Sequence, residues 1–201
     1  MIPVRQSIGG LGNLMFKQAY LVGQMLEGKI PDMYVQSNKY WKDHEGVIKE
    51  LFSQNIIGGE VDYSPMVSLQ IRRGDYVGND FYVDLAKTDY YKKATDLFPK
   101  SRFLVFCQDR QNEERDLEDK QWCRDFLNEI IPGRFEMWPG ISDTDDLNKM
   151  ASCVHNIIAN SSFGWWAGFL NPNPRKTVVT PKSWFTDGVQ RCDLIDSWVQ
   201  L

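Results

Sequence analysis

His155-Asn156-Ile157-Ile158-Ala159-Asn160-Ser161-Ser162-Phe163-Gly164-Trp165-Trp166 is the stretch that decides the fold. Asn156-Ile157-Ile158-Ala159 is a short apolar run without polar alternation, which suits a parallel strand covered on both faces. Ser161-Ser162 turns the chain, and an aromatic helix follows from Ser162 to Leu170. A serine there caps the helix, with Trp166 and Phe169 packing the core. Strand end, hydroxyls and helix dipole together also make an anion site that needs no lysine. The two readings are compatible, because a cap at a strand's carboxyl end is also where ligands lie in an open α/β sheet. His155 opens the strand and reads as structural.

Similar units lie on both sides. Strands are expected at Met66–Ile71, Phe103–Phe106, Phe135–Trp138, Asn156–Ala159 and Thr177–Thr180. Helices are expected near Thr88–Leu97, Asn112–Ile130, Thr144–Cys153 and Ser162–Leu170. Alternating β and α units predict a doubly wound parallel sheet. The charged segment Asn112 to Lys120 reads as a solvated helix start. Upstream, Ile2 to Ile8 reads as a first strand. Gly9-Gly10-Leu11-Gly12-Asn13 reads as a tight loop before a helix over Leu14–Leu26, whose apolar face is Met15, Ala19, Leu21, Val22 and Met25. Gly28 and Pro31 stop that helix. Tyr34 to Ser37 is extended, Asp43 to Phe52 is an amphipathic helix with Val47, Leu51 and Phe52 turned inward, and Gly58-Gly59 punctuates the chain.

Composition bounds the function. The 201 residues carry 42% hydrophobic and 25% charged residues, with 7 Trp and 11 Phe to fill a core. A net charge of −4 and no basic block argue against binding a nucleic-acid backbone. A nucleotide pocket needs only two or three placed cations. Cys107, Cys123, Cys153 and Cys192 form no Cys-x-x-Cys pair and read as free thiols of a reducing compartment. With only His44 and His155, a zinc site has little to draw on. The N-terminus has no apolar leader and no run reaches spanning length. The expectation is a soluble, cytoplasmic protein, not membrane-spanning, with peripheral attachment left open.

Three segments carry chemistry. The strand Met66–Ile71 runs into Arg72-Arg73-Gly74-Asp75, placing two guanidiniums at a carboxyl end. The planar fork of arginine matches phosphate, Gly74 allows a sharp turn, and Asp75 can hold one guanidinium. The backbone N–H groups of the glycine loop can cradle an anion or a sugar hydroxyl. Its spacing is neither the dinucleotide fingerprint nor a P-loop, so a ligand loop and a plain turn stay open. Asp143-Thr144-Asp145-Asp146 resembles a metal clamp, but Ser142 and the following Leu147, Met150 and Ala151 favour a helix N-terminus. Asp146 can still accept from the adjacent N–H donors of a guanine edge.

These segments, with Gly12-Asn13-Leu14-Met15-Phe16, Gln36-Ser37-Asn38-Lys39-Tyr40-Trp41, Asp89-Tyr90-Tyr91-Lys92-Lys93-Ala94 and Pro181-Lys182-Ser183-Trp184-Phe185, are similar in order to the α-1,2-fucosyltransferase family. That family is related to the α-1,6- and protein O-fucosyltransferases. The resemblance implies a GT-B-like enzyme of the galactoside α-1,2 type. It would carry a Rossmann-like donor domain (63–201) and a reduced N-terminal lobe on the acceptor side (1–62). It implies transfer of L-fucose from GDP-fucose to a glycan hydroxyl, with inversion and with no metal or cofactor. By position, Arg72 holds the GDP phosphates and Arg73 supports it. Asp146 reads guanine, and Ser161, Ser162 and Phe163 line the donor site. Gly10, Gly12, Asn13, Gln70 and Asp75 complete the donor set. The family usually has His where this chain has Gln70. The base that inversion needs falls to Asp80, which follows a Gly78-Asn79 turn, rather than to Asp84. A non-catalytic GDP-sugar-binding remnant and a transferase of another GDP-hexose are the alternatives.

Overall fold

A computed structural model describes residues 10–27, 38, 41–53, 64–107 and 113–201. The expected first strand, Gly9, the Gly28–Pro31 stop, the Tyr34–Ser37 segment and Gly58-Gly59 lie outside those residues.

Among the described residues, six strands form one sheet: β1 (Ser64–Gln70), β2 (Phe103–Phe106), β3 (Phe135–Met137), β4 (Cys153–Ile157), β5 (Val178–Thr180) and β6 (Val199–Gln200). Every pairing is parallel and the spatial order is β3-β2-β1-β4-β5-β6. The order reverses between β1 and β4. An open α/β sheet binds ligands at that switch point, beyond the carboxyl ends of its strands.

Alternation along the strands builds two cores. Val67, Leu69 and Ile71 join Phe103, Val105, Ile157 and Val179 on one face. Helices α3 (Tyr90–Asp96) and α4 (Glu113–Ile130) cover it with Tyr91, Ala94, Cys123 and Leu127. Leu104 and Phe106 turn to the other face, where α5 (Asp143–Ala151) and α6 (Ser162–Leu170) pack. On that face β1 presents Ser68 instead of an apolar residue. Its Oγ accepts from Asn156 Nδ2 at 2.7 Å, and Asn171 Nδ2 donates to Asn156 Oδ1 at 2.7 Å, so the buried polar chain is satisfied.

Helices α1 (Leu11–Leu26) and α2 (Glu45–Phe52) lie outside α6. Gly164 to Leu170 of α6 are all buried, as a helix apolar all round requires. Phe16 meets Trp165 and Trp166 at ring distances of 4.8 and 5.1 Å, and Trp41 stacks on Trp166 at 5.6 Å. At the far end of α6, Lys176 Nζ donates to the carbonyls of Phe169 and Asn171 at 3.2 and 2.6 Å, satisfying acceptors that a helix end leaves open.

Several expectations need correction. Helix α1 begins at Leu11, so Gly12 and Asn13 belong to its first turn rather than to a loop. In α2 the inward residue is Ile48, while Val47 and Leu51 are exposed; Phe52 does turn in, against Trp166 at 5.0 Å. The solvated start of α4 contains a buried carboxylate, Asp119. Strand β4 starts at Cys153, which puts His155 in its middle. There His155 Nδ1 accepts from Thr177 N–H at 2.9 Å and the ring stacks on Phe98. Strand β6 was not expected. Two residues at a sheet edge leave no periodic signal to read.

Candidate active site

The two arginines after β1 separate. Arg73 turns to α4: its Nε donates to Asp119 Oδ1 at 2.7 Å, and its guanidinium lies 3.8 Å from the centre of the Trp122 ring. Asp119 Oδ2 accepts from Gly74 N–H at 2.8 Å. One buried carboxylate therefore holds both the second arginine and the turn after it. Gly74 has φ +58°, a left-handed conformation that glycine adopts without penalty. Arg72 goes the other way and stays a third exposed. Its Nη2 donates to Asp75 Oδ1, and the guanidinium sits over the Tyr76 ring at 5.0 Å. Tyr76 donates its hydroxyl to Asn160 O at 3.1 Å. Burial and the adjacent Tyr82 hold that phenol well above its ordinary pKa, while Arg72 works in the opposite sense. The Tyr76 phenol is therefore a donor at neutral pH.

Across the switch point, Gln70 is buried and its Oε1 accepts from Ala159 N–H at 3.1 Å. This staples the end of β1 to the end of β4. A Cβ on Gly164 would fall 2.1 Å from Gln70 Oε1, so the first turn of α6 rests directly on this amide. Ser161 caps α6, is 8% exposed, and makes no side-chain hydrogen bond to the helix. Ser162 Oγ donates to Asn13 Oδ1 at 2.9 Å. Trp166 Nε1 donates to Gly12 O at 3.1 Å. A Cβ on Gly12 would lie 2.5 Å from Phe163 N and 2.6 Å from Ser162 C. The glycine is needed for close helix approach, not for a turn. Gly10, by contrast, is exposed with open space around it. The N-terminal turns of α1 and α6 thus meet at Ser162–Phe163, and Phe163 packs partly into the core. Two helix starts side by side concentrate positive potential and free N–H groups beside the strand that delivers Arg72.

Asp146 is buried in the first turn of α5, and Ser142 caps that helix by accepting from Asp145 N–H at 3.1 Å. Asp146 Oδ1 accepts from Trp138 Nε1 at 2.7 Å and from Ile141 N–H at 3.2 Å, so it braces the loop that leaves β3. Asp80 is exposed on the loop after Gly78, whose φ is +73°. Its carbonyl accepts from Thr186 Oγ1 at 2.6 Å. Asp84 caps the short turn Leu85–Lys87 by accepting from Ala86 N–H.

The structure thus gathers Gln70, Arg72, Asp75, Ser161, Ser162, Phe163, Gly12 and Asn13 around one switch point. Arg73 serves behind it, Asp146 stands at the end of β3, and Asp80 lies on the outer loop. Sequence reasoning missed Asp119 and Asn160. Asp119 sits on the stripe Asp119-Cys123-Leu127, at i, i+4 and i+8, all buried. A carboxylate in line with core residues is the signal that marks it. Asn160 Nδ2 donates to Val83 O and Trp184 O, both at 3.0 Å, tying two loops to the end of β4. Among the described residues no helix is long and apolar enough to cross a membrane.

Residues 32–198 match the model of glycosyl transferase family 11. The chain is similar to an O-antigen biosynthesis glycosyltransferase, WbnK, of Escherichia coli, at 32% identity over 67% of this chain and 44% of that protein. It is also similar to an α-1,2-colitosyltransferase of Escherichia coli, at 30% identity over 75% of this chain and 54% of that protein. The chain spans about half the length of these curated relatives. No solved structure matches it significantly. With the family's model covering both the arginine pair after β1 and the serine pair before α6, the chain belongs to glycosyl transferase family 11, the α-1,2-fucosyltransferase family.

Proposed function

We propose that the protein transfers L-fucose from GDP-fucose to a glycan hydroxyl, with inversion and without a metal. The observation that carries this reading is Arg72: a partly exposed guanidinium, oriented by Asp75 and lying over Tyr76, whose hydroxyl bonds the carbonyl of Asn160 just ahead of α6. Departure of GDP builds negative charge on the diphosphate. A fixed guanidinium with free helix N–H groups and the Ser161 hydroxyl stabilises that charge where other transferases use a divalent cation. Asp119 holds Arg73 and the Gly74 amide, so the turn that presents Arg72 is set before the donor arrives. Asp146, buried and bonded to Trp138 and Ile141, holds the loop after β3 instead of meeting the guanine edge directly, and Asp80 takes the proton of the attacking hydroxyl. In this reading residues 63–201 form the donor domain of a GT-B-like enzyme, and residues 1–62 belong to the acceptor side.

A second donor, an activated colitose, is favoured by the relative named as an α-1,2-colitosyltransferase. Calorimetry with GDP, GDP-fucose, GDP-colitose and GDP-mannose, with and without EDTA, tests the proposal. A hydrolysis assay on each donor that binds completes it. The expected result is binding of GDP and of one 6-deoxy donor, unchanged by EDTA, with slow release of the sugar. Loss of GDP binding on chelation, restored by Mn²⁺, would overturn the metal-free mechanism. Binding without hydrolysis or transfer would leave a GDP-sugar-binding protein.

A further inference from the structure

The loop that carries Asp80 does not lie free. Tyr82 pairs with Phe185 in an antiparallel bridge. Val83 N–H donates to Trp184 O and Thr186 N–H donates to Phe81 O, each at 3.1 Å. Loops 76–84 and 181–188 therefore form a short ribbon, and Asn160 anchors both strands of it. The ribbon is lined with rings in series. Tyr76 stacks on Tyr82 at 4.0 Å, Tyr82 meets Phe81 at 5.1 Å, and Phe81 meets Phe185 at 5.1 Å. The series begins beneath the Arg72 guanidinium and ends at Phe81, which is 43% exposed. Arg191 lies over Phe81 and Phe185 at 4.9 and 4.8 Å and is held by Asp187 through two bonds of 3.0 and 2.7 Å.

We infer that this ribbon is the acceptor subsite, with Phe81 as the platform for one pyranose ring. The inference rests on the glycosyltransferase reading above and adds the place where the acceptor sits. A pyranose has an apolar C–H face and a rim of hydroxyls. Phe81 keeps 43% of its surface exposed with the Arg191 guanidinium over its ring, so the site offers rigid apolar area together with the donors and acceptors of the Arg–Asp fork. The exposed apolar area of this region is that of Phe81, Val77 and Val189, set among Asp80, Asp187 and Arg191. That is small for a protein-docking surface and suits a sugar. The signs of charge are mixed, so the site has no preference for an anion. The rings lead from Arg72 to Phe81 in steps of 5.0, 4.0 and 5.1 Å, so an acceptor anchored on Phe81 can extend along them toward the donor, with Asp80 adjacent in the chain.

The test is saturation-transfer NMR with the methyl β-glycosides of galactose, glucose and N-acetylglucosamine. Wild type, Phe81→Ala and Phe81→Trp are compared, with GDP calorimetry and sedimentation on the same samples. Wild type should bind at least one glycoside, Phe81→Ala should weaken it about tenfold, and Phe81→Trp should retain it. GDP affinity should be equal in all three. Glycoside binding unchanged by Phe81→Ala, or absent in wild type, overturns the subsite even when GDP binds, and leaves the donor reading intact. Failure of wild type to bind GDP overturns the donor reading, while a Phe81-dependent glycoside signal still upholds the platform. A dimer that Phe81→Ala dissociates would identify the ring as a contact between copies and overturn the inference.

Discussion

Replacing Gly12 by Ala adds one methyl group where the backbone of α6 already stands. The new Cβ would lie 2.5 Å from Phe163 N and 2.6 Å from Ser162 C and Oγ. These are backbone atoms and a bonded hydroxyl, so relief requires α1 to move away from α6. Overpacking of this kind costs about 1–3 kcal/mol. The movement also strains the Trp166–Gly12 bond of 3.1 Å, whose loss is worth about 1 kcal/mol. Against this, alanine gains at most about 1 kcal/mol over glycine in a helix, and less in a first turn. The net expectation is a loss of about 2 kcal/mol, or about 4–8 °C in melting temperature for a chain of this size. Gly10→Ala is the control, because nothing lies within 4 Å of its added Cβ, and its effect should stay within about 0.5 kcal/mol. Urea unfolding of both variants measures the difference. GDP calorimetry should show Gly12→Ala weakened as well, since Ser162 is displaced. If the two variants are equally stable, the close approach of α1 to α6 is wrong, and with it the shared helix-terminus site.

Arg72→Ala should weaken GDP binding by about 1.5–3 kcal/mol, the scale of a charged hydrogen bond, without lowering the melting temperature; equal GDP affinity in a folded sample would remove Arg72 from the donor site. Asp119→Asn should act in the opposite order, costing about 3–5 kcal/mol of stability by leaving Arg73 without its carboxylate, and weakening GDP only secondarily; a variant as stable as wild type in urea would show that the pair carries no weight. Asp80→Asn should keep donor binding and lower transfer by about 10²-fold or more, the range of a lost general base, so near wild-type transfer would move the base elsewhere. Burial pushes the Lys176 ammonium from its usual 10.5 down to about 7. Between those values the unfolded chain holds a proton that the native state gives up, so stability should rise with pH above about 7. Lys176→Met should flatten that slope between pH 7 and 8.5, and an unchanged slope would place its origin in other groups.

The sequence exposed those parts of the fold whose signal is local. Phe103–Phe106 and Ser162–Leu170 have the boundaries the sequence predicts, because the first is an apolar run that starts after Arg102 and the second is apolar after its opening serine and ends before Asn171-Pro172. The α1 start was missed because Gly-Leu-Gly-Asn has poor helix propensity, and packing on Ser162 and Trp166 overrides it. Val47 and Leu51 misled the reading of α2, because the inward face is chosen by contact with α6 and not by apolar count. The pairing of Arg73 with Asp119 joins residues 46 apart, and Asn160 reaches Val83 77 positions away. The pairings themselves leave no trace in either local window, although the stripe Asp119-Cys123-Leu127 marks Asp119 as an inward carboxylate. What the arginine pair did announce, a strand end opening on a ligand, needed only residues 66–75. Why the two arginines divide their roles became clear only once α4 stood behind one of them.

The joint between α1 and α6 also sets a timetable for synthesis. Asn13 waits for a partner 149 residues downstream, and Gly12 for one 154 residues downstream. At translation rates of about 5–20 residues per second, the apolar side of α1 leaves the ribosome about 7–30 s before α6 exists to receive it. Until then Met15, Phe16 and Ala19 lack Trp165, Trp166 and Phe169, the aromatic part of the core they join. Long-range closure of this kind is slow and leaves sticky surface unprotected. For a nascent chain built this way, the expected outcome is a yield that responds to the supply of holdase chaperones more than its thermodynamic stability does.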